Sequence, residues 1–357
     1  MTTIFCNRFI CSLSLLVILS LSTSADGLYF PPVEGEWETV EPSDIGWDNA
    51  KIQLALDYAR SQQSTGVVVL HRGKMLAEQY WQIAGANSAK FNQRLIGADK
   101  AGRGIEDVAS AQKSVASVLV GIAQQKGLLK VDDPVSQYLG DGWSPATPHQ
   151  ERAITIRHLI TMTSGLNTRG EYDVKPGSKW LYNTAVYSKS MDVVEAAAKL
   201  DRHELTRMWL TEPIGMLDSK WASRGEFGER GGNAFGFATT ARDLARFGLM
   251  MLAKGTWGEK VILSDHQYFE ASTTSSQKLN PYYGYLWWLS KNSFAPDSKA
   301  RPESAPKDMF AANGALNRRC FVVPSLNLVV TRLGDQPADV RNFDDRFWRL
   351  LMEAAPK

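Results

Sequence analysis

Cysteine is nearly missing from this chain. Of 357 residues only three are cysteine, and two of them, Cys6 and Cys11, lie in a short leader. Once that leader is removed only Cys320 remains, so no intramolecular disulfide can form and stability must come from packing. Zinc-type Cys/His spacing and runs of basic residues are also missing, and with them the usual signals of nucleic-acid binding. No internal repeat or low-complexity tract appears. No serine stands in G-x-S-x-G, and the five histidines lack a catalytic setting. His158 sits in TIRHLITM as a packed or hydrogen-bonded residue. His71, His149, His203 and His266 fall in turns, loops or polar stretches, so a Ser-His-Asp arrangement is set aside.

Long apolar runs are scarce as well. Arg8 precedes Phe9 to Leu21, which is too short to span a bilayer comfortably. The small residues Ser22-Thr23-Ser24-Ala25 follow, which predicts a signal peptide over 1–25, the alternative being an uncleaved anchor. Neither early cysteine follows the small-residue pattern of lipid attachment. Loss of Arg8 lowers the formal net charge from +2 to +1. An exported, disulfide-free chain fits the bacterial periplasm or medium, with no membrane span after signal removal.

What is present is ordinary globular material, 44% hydrophobic and 22% charged. LYFPPVEGEWETV reads as a surface lead-in. The pattern predicts a helix over 47–61, then a hairpin, 67–70 and 75–81, turning at Arg72-Gly73. A buried helix over 111–125 follows. From 131 to about 254 the chain looks helical and loopy, with helices over 155–162, 185–200 and 239–253. Thr240 and Asp243 suggest a capping box for the last. Strand character returns at 283–289, at 320–323 and at 328–333, and a helix over 340–354 closes the chain. Strands at both ends around a helical middle imply an α/β (α+β) fold. We expect one sheet lobe from 26–130 and 270–357 and an inserted helical lobe over 131–269.

The segment Ser110-Ala111-Gln112-Lys113 opens the buried helix. Free N–H groups and the helix dipole favour negative charge at Ser110, and Lys113 lies one turn up the same face. A lysine on an apolar helix snorkels out, pairs, or has its pKa lowered enough to handle protons. Serine beside such a lysine is a recipe for an activated nucleophile. S-x-x-K also occurs at Ser275 and Ser304, but Pro281 soon after one and Pro306 within the other deny those serines a helix. Tyr182, delivered by the Pro176-Gly177 turn, is either a packing residue or a proton carrier. In a dry cleft or near two cations a tyrosine can ionise below its usual pKa.

SAQKS on a buried helix, LLKVDDPVSQYL, ITIRHLITMTSGL and PGSKWLYNTAVY together resemble the serine hydrolases of the class C β-lactamase and penicillin-binding-protein superfamily. GFATTARDLARFGLMMLAKG, YYGYLWWL and FAANGALNRRCFVVPSLNLVVTRLG continue the likeness in order, over nearly the whole mature chain. It is nearest to the branch of esterases and 6-aminohexanoate-oligomer hydrolases. The resemblance implies a β-lactamase/transpeptidase-like fold, Ser110 as acylated nucleophile, Lys113 as its activating partner and Tyr182 as the first residue of a Y-x-N motif. Thr184 replaces the asparagine of that motif, and Asn183 is out of register. The third motif, usually K-T-G or H-x-G, corresponds to the stretch Ala312-Asn313-Gly314, which lacks a cation but can present a backbone N–H to an oxyanion.

A missing cation argues against penicillins and D-alanyl peptides. Arg318 or Arg319 either replaces it or is an exposed structural residue. Thr184, Trp180, Tyr283 and Trp287, with Tyr282 and Trp288, line an apolar cleft or pack between the lobes. The implied activity is ester or amide hydrolysis of a small molecule through acyl-Ser110, with no metal or organic cofactor. The alternatives are a D-aminopeptidase or DD-peptidase, or a peptidoglycan-binding module with weak turnover.

Overall fold

The computed structural model describes residues 27–83, 88–289 and 304–357. The expected signal segment lies outside them. Asp48 caps α1 (Asn49–Ser61) by accepting the Lys51 N–H. The hairpin β1 (Ser64–His71) and β2 (Lys74–Tyr80) follows. Its two turn residues, Arg72 and Gly73, both have positive φ, 51° and 81°, the twist that tight hairpins require. Then come β3 (Leu95–Ala98), β4 (Gly104–Asp107), a 3-10 turn over Ala109–Ala111 and α2 (Gln112–Gln125). Further on lie α3 (Lys189–Ala198), β5 (Lys220–Ser223), β6 (Phe235–Thr239) and α4 (Ala241–Leu252). The short pair β7 (Thr256–Trp257) and β8 (Lys260–Val261) precedes α5 (His266–Thr273) and β9 (Trp288–Leu289). The chain ends with β10 (Phe310–Gly314), β11 (Arg318–Val323), β12 (Leu328–Gly334) and α6 (Phe343–Ala354).

An antiparallel sheet ordered β2-β1-β12-β11-β10-β9 joins the two chain ends. Both of its faces are covered. Val67 and Val69 point to a core shared with α1 and α6, whereas Val68 and Leu70 point to the larger core of α2 and α4. Burial on two sides explains why β1 reads Val-Val-Val-Leu rather than alternating. Every residue of α2 from Gln112 to Ala123 is buried, as expected of a helix that is apolar all round. The Thr240 side chain caps α4 through the Asp243 N–H. This mixed α/β architecture, with antiparallel sheets and flanking helices, matches the fold class read from the sequence.

A second sheet, β3-β4-β6-β5, was not anticipated. Its strands are short, and β3 is exposed along its whole length, so no apolar pattern announces it. Two more departures have local causes. The 283–289 segment is a strand only at Trp288–Leu289, because Leu286 takes φ 62° and turns the chain. The 185–200 helix is two pieces, Thr184–Tyr187 and α3, meeting at Ser188.

Gly121, an odd residue inside α2, is explained by contact. A Cβ there would lie 2.6 Å from Tyr268 Cε1 and 2.9 Å from Leu263 Cδ1. The Tyr268 hydroxyl donates to the Ser117 carbonyl at 2.6 Å and cannot swing away freely. Alanine is the better helix former by about 1 kcal/mol, but overpacking costs about 1–3 kcal/mol. Gly121→Ala is therefore expected to lower stability in urea unfolding; a rise in the midpoint would contradict this packing.

Candidate active site

The site begins where β4 ends. Val108 extends the second sheet by donating to the Phe237 carbonyl at 2.9 Å. Ala109 then adopts φ 52°, a conformation that costs a non-glycine residue energy and persists only where its surroundings enforce it. Asp107 enforces it, accepting the Ala109 N–H at 2.8 Å on Oδ1. Arg224 grips the same carboxylate with two bonds of 2.7 Å, and Arg94 adds one of 2.9 Å. Burial pushes the Asp107 carboxyl up, but Arg224 and Arg94 outweigh it and hold the group below the usual carboxylate range. Arg224 also donates to Gln112 Oε1 at 2.8 Å, and Gln112 donates to the Tyr187 hydroxyl at 2.6 Å. The tight turn thus presents Ser110 half-buried at the mouth of α2, its N–H in the first turn, where no intrahelical partner exists.

Lys113 neither snorkels nor pairs. It is 1% exposed, with Nζ 3.0 Å from Ser110 Oγ and 3.3 Å from Thr184 Oγ1. The rings of Tyr187 and Tyr182 flank it, their centroids 4.2 and 4.7 Å from Nζ. Burial, reinforced by the positive charge of Arg224, lowers its pKa well below the ordinary lysine value. Tyr182 shifts the other way from the expectation. Burial raises its phenol to about 12, only partly offset by a hydrogen bond with Ser110. A dry cleft without a paired cation disfavours phenolate.

The Tyr182 segment is held from behind. Met162, itself at φ 63°, accepts the Leu181 N–H on its carbonyl at 2.9 Å and the Asn183 N–H on its sulfur at 3.4 Å. Asn183 is spent on structure: its amide donates to the Asn167 carbonyl at 2.7 Å and its oxygen caps the next helix at Val186. Thr184 therefore faces Lys113 alone. His158 caps its own helix, accepting the Thr155 N–H on Nδ1 at 3.0 Å.

The aromatic wall around Tyr182 consists of Trp180, Tyr283 and Trp288, with ring centroids 4.8–6.4 Å apart. Trp287 lies elsewhere, fully buried and stacked on Phe247. Its neighbour Trp288 lies beside Tyr182, after the turn at Leu286.

In the third-motif stretch only Gly314 meets the nucleophile turn. A Cβ on it would lie 2.1 Å from the Val108 carbonyl oxygen and 3.2 Å from the Ala111 nitrogen. Ala312 is buried in the α2 core, and Asn313 is buried with both side-chain polar atoms lacking a hydrogen-bond partner. The expectation of an exposed arginine is corrected: Arg318 and Arg319 are 0% and 2% exposed, paired with Glu106 and Asp344. Sequence reading missed the Asp107–Arg224–Gln112 network, whose members are too far apart in the chain to form a motif. Among the described residues no group of three or more His, Cys, Asp or Glu is arranged to hold a metal, and no helix is long and apolar enough to cross a membrane.

If Lys113 is neutral in the fold, its linkage to stability has a definite sign. The unfolded chain binds a proton there up to about pH 10.4 that the native state does not, so native stability rises with pH through that window. Lys113→Met removes this dependence. Urea midpoints at pH 7 and 9.5 are expected to show the wild type gaining on the variant at the higher pH; no relative gain would mean an ordinary, charged lysine.

A family model described as Beta-lactamase matches residues 53–353. An uncharacterized protein of Alkalihalophilus pseudofirmus is 26% identical over 322 residues, 80% of this chain and 90% of its own. Among solved structures, a beta-lactamase from Mycobacterium bovis has a TM-score of 0.61 at 17% identity, over 84% of this chain and 97% of its own. A provisionally assigned 6-aminohexanoate-dimer hydrolase from Bacillus anthracis has a TM-score of 0.64 at 15% identity, over 94% and 92%. EstCE1, a hydrolase with promiscuous acyltransferase activity, has a TM-score of 0.58 at 14% identity, over 86% and 97%. At these identities the structural likenesses establish the fold.

Proposed function

Because the chain belongs to the Beta-lactamase family, we propose that it is a serine hydrolase that cleaves an ester or amide of a small molecule through an acyl-Ser110 intermediate. The observation that carries this reading is Lys113, a buried amine 3.0 Å from the Ser110 hydroxyl, whose pKa is lowered by burial and by the cation Arg224. Burial and the nearby cation disfavour the protonated form of this amine, and the neutral form can accept a proton.

In the first step Ser110 Oγ attacks the substrate carbonyl while its proton passes to Lys113 Nζ. The tetrahedral oxyanion is met by the Ser110 N–H and by the N–H of Ala315, which follows Gly314 at the end of β10. Lys113 returns the proton to the leaving group through the Tyr182 phenol, which stays protonated and hydrogen-bonded to Ser110. Water then attacks the acyl ester with the same groups acting in reverse.

Two features favour neutral esters and linear amides over penicillins and D-alanyl peptides. Ala312 stands where the family's third motif carries a cation, and Arg318 and Arg319 are committed to buried pairs. With the expected signal peptide over 1–25, we place this activity in the periplasm or the medium.

A fluorophosphonate is expected to label the wild type at Ser110 and to leave Ser110→Ala unlabelled; an unlabelled wild type would sink the reading. On a p-nitrophenyl short-chain ester, Lys113→Ala should lose about 10²–10⁴-fold in kcat, the range of general-base catalysis, with the fold retained on thermal unfolding. Because the amine works unprotonated, kcat/KM should rise with pH through the Lys113 pKa, with a midpoint well below the ordinary lysine value. A profile that falls over that range would contradict a lysine base.

A further inference from the structure

The Gly314–Ala315 peptide is anchored from the side of the sheet opposite Ser110. Gly314 is extended, with φ −122° and ψ 160°, and its carbonyl accepts from Arg319 Nη1 at 2.8 Å. The same guanidinium donates through Nε and Nη2 to Asp344 Oδ2 on α6, at 3.1 and 3.0 Å. Its planar fork therefore ties the Gly314 carbonyl to a helix on the far face of the sheet. In a trans peptide the C=O and the following N–H point in opposite directions. With the Gly314 oxygen drawn toward Arg319, the Ala315 N–H points away from α6. Gly314 itself packs on the turn that carries Ser110.

A second buried arginine steadies the other end of this hairpin. Arg332 Nη1 donates to the carbonyl of Leu316, a residue held at φ 62°. The peptide between these anchors cannot pivot without breaking a charge-assisted bond.

We propose that Arg319 is a positioning residue for acyl transfer: through the Gly314 carbonyl it fixes the direction of the Ala315 N–H toward the developing oxyanion. This rests on the acyl-Ser110 reading above. The guanidinium also polarises the peptide, which strengthens its N–H as a donor.

The test is the double variant Arg319→Met with Asp344→Leu, which removes the bond to Gly314 without orphaning a buried charge. Activity is measured on p-nitrophenyl butyrate and normalised to sites titrated with fluorophosphonate, so that only folded protein is counted. Removing an oxyanion donor outright costs about 10²–10³ in kcat; misdirecting one is expected to cost about 10- to 100-fold, with KM within about twofold. Affinity for a phenylboronic acid, which forms a tetrahedral adduct, should fall in parallel. Asp344→Asn keeps the bond to Gly314, so it should lower the melting temperature while holding kcat within about twofold. Should the double variant prove insoluble, Arg319→Gln is read the same way. Wild-type kcat in the Arg319 variants, or an equal loss in Asp344→Asn, overturns the proposal. Failure of the wild type to label at Ser110 overturns the acyl-serine reading instead, and this inference with it.

Discussion

A desolvated amine set against a hydroxyl is the constraint on which the rest of this structure depends. Lys113 sits on a helix buried on every side, one turn from Ser110 and without a carboxylate to pair with. Burying an ammonium there would be costly, and the group answers by shifting its proton equilibrium. Two tyrosine rings and the Thr184 hydroxyl surround the amine, which lies 3.0 Å from the Ser110 hydroxyl. Stability and chemistry pull in opposite directions at this residue, as they commonly do at working sites.

Around that pair the fold supplies strain and its compensation. Ala109, Met162, Leu286 and Leu316 all adopt positive φ, and each lies where the backbone must deliver a group to the site. Ala109 presents Ser110, Met162 supports Tyr182, Leu286 brings Trp288 beside it, and Leu316 follows the Gly314–Ala315 edge. Each is held by identifiable bonds: Asp107 to Ala109, Leu159 to Met162, Ile160 to Leu286, Arg332 to Leu316. Arg318, Arg319 and Arg332 lie inside the protein, and Arg224 is half-buried beside Asp107.

The sequence made legible whatever depends on neighbours along the chain. Ser110 and Lys113 are one helical turn apart, so their meeting follows from helix geometry. The hairpin at Arg72-Gly73 and the Thr240 cap follow from turn and capping chemistry in the same way. Tyr182 stood out by the Pro176-Gly177 turn that delivers it, but its role and that of Thr184 came from likeness to a family. Out of reach were features built from distant partners. Arg224 meets Asp107 across 117 positions, and Arg319 reaches an Asp344 that no local pattern connects to it. The second sheet escaped notice because strands of four or five residues, one of them fully exposed, carry no periodic signal. The aromatic run Tyr283–Leu289 looked like a strand because its residues favour sheets, yet contact with α2 bends it at Leu286.

The central claim is that burial makes Lys113 hold its proton far less tightly in the folded protein than an ordinary lysine does. Titration of ¹³Cε-labelled lysine by NMR, with the Lys113 signal assigned by its loss in Lys113→Met, measures this without reference to any substrate. The account predicts one lysine resonance titrating well below all the others. A Lys113 signal that titrates with the remainder, near the ordinary value of about 10.4, would contradict it.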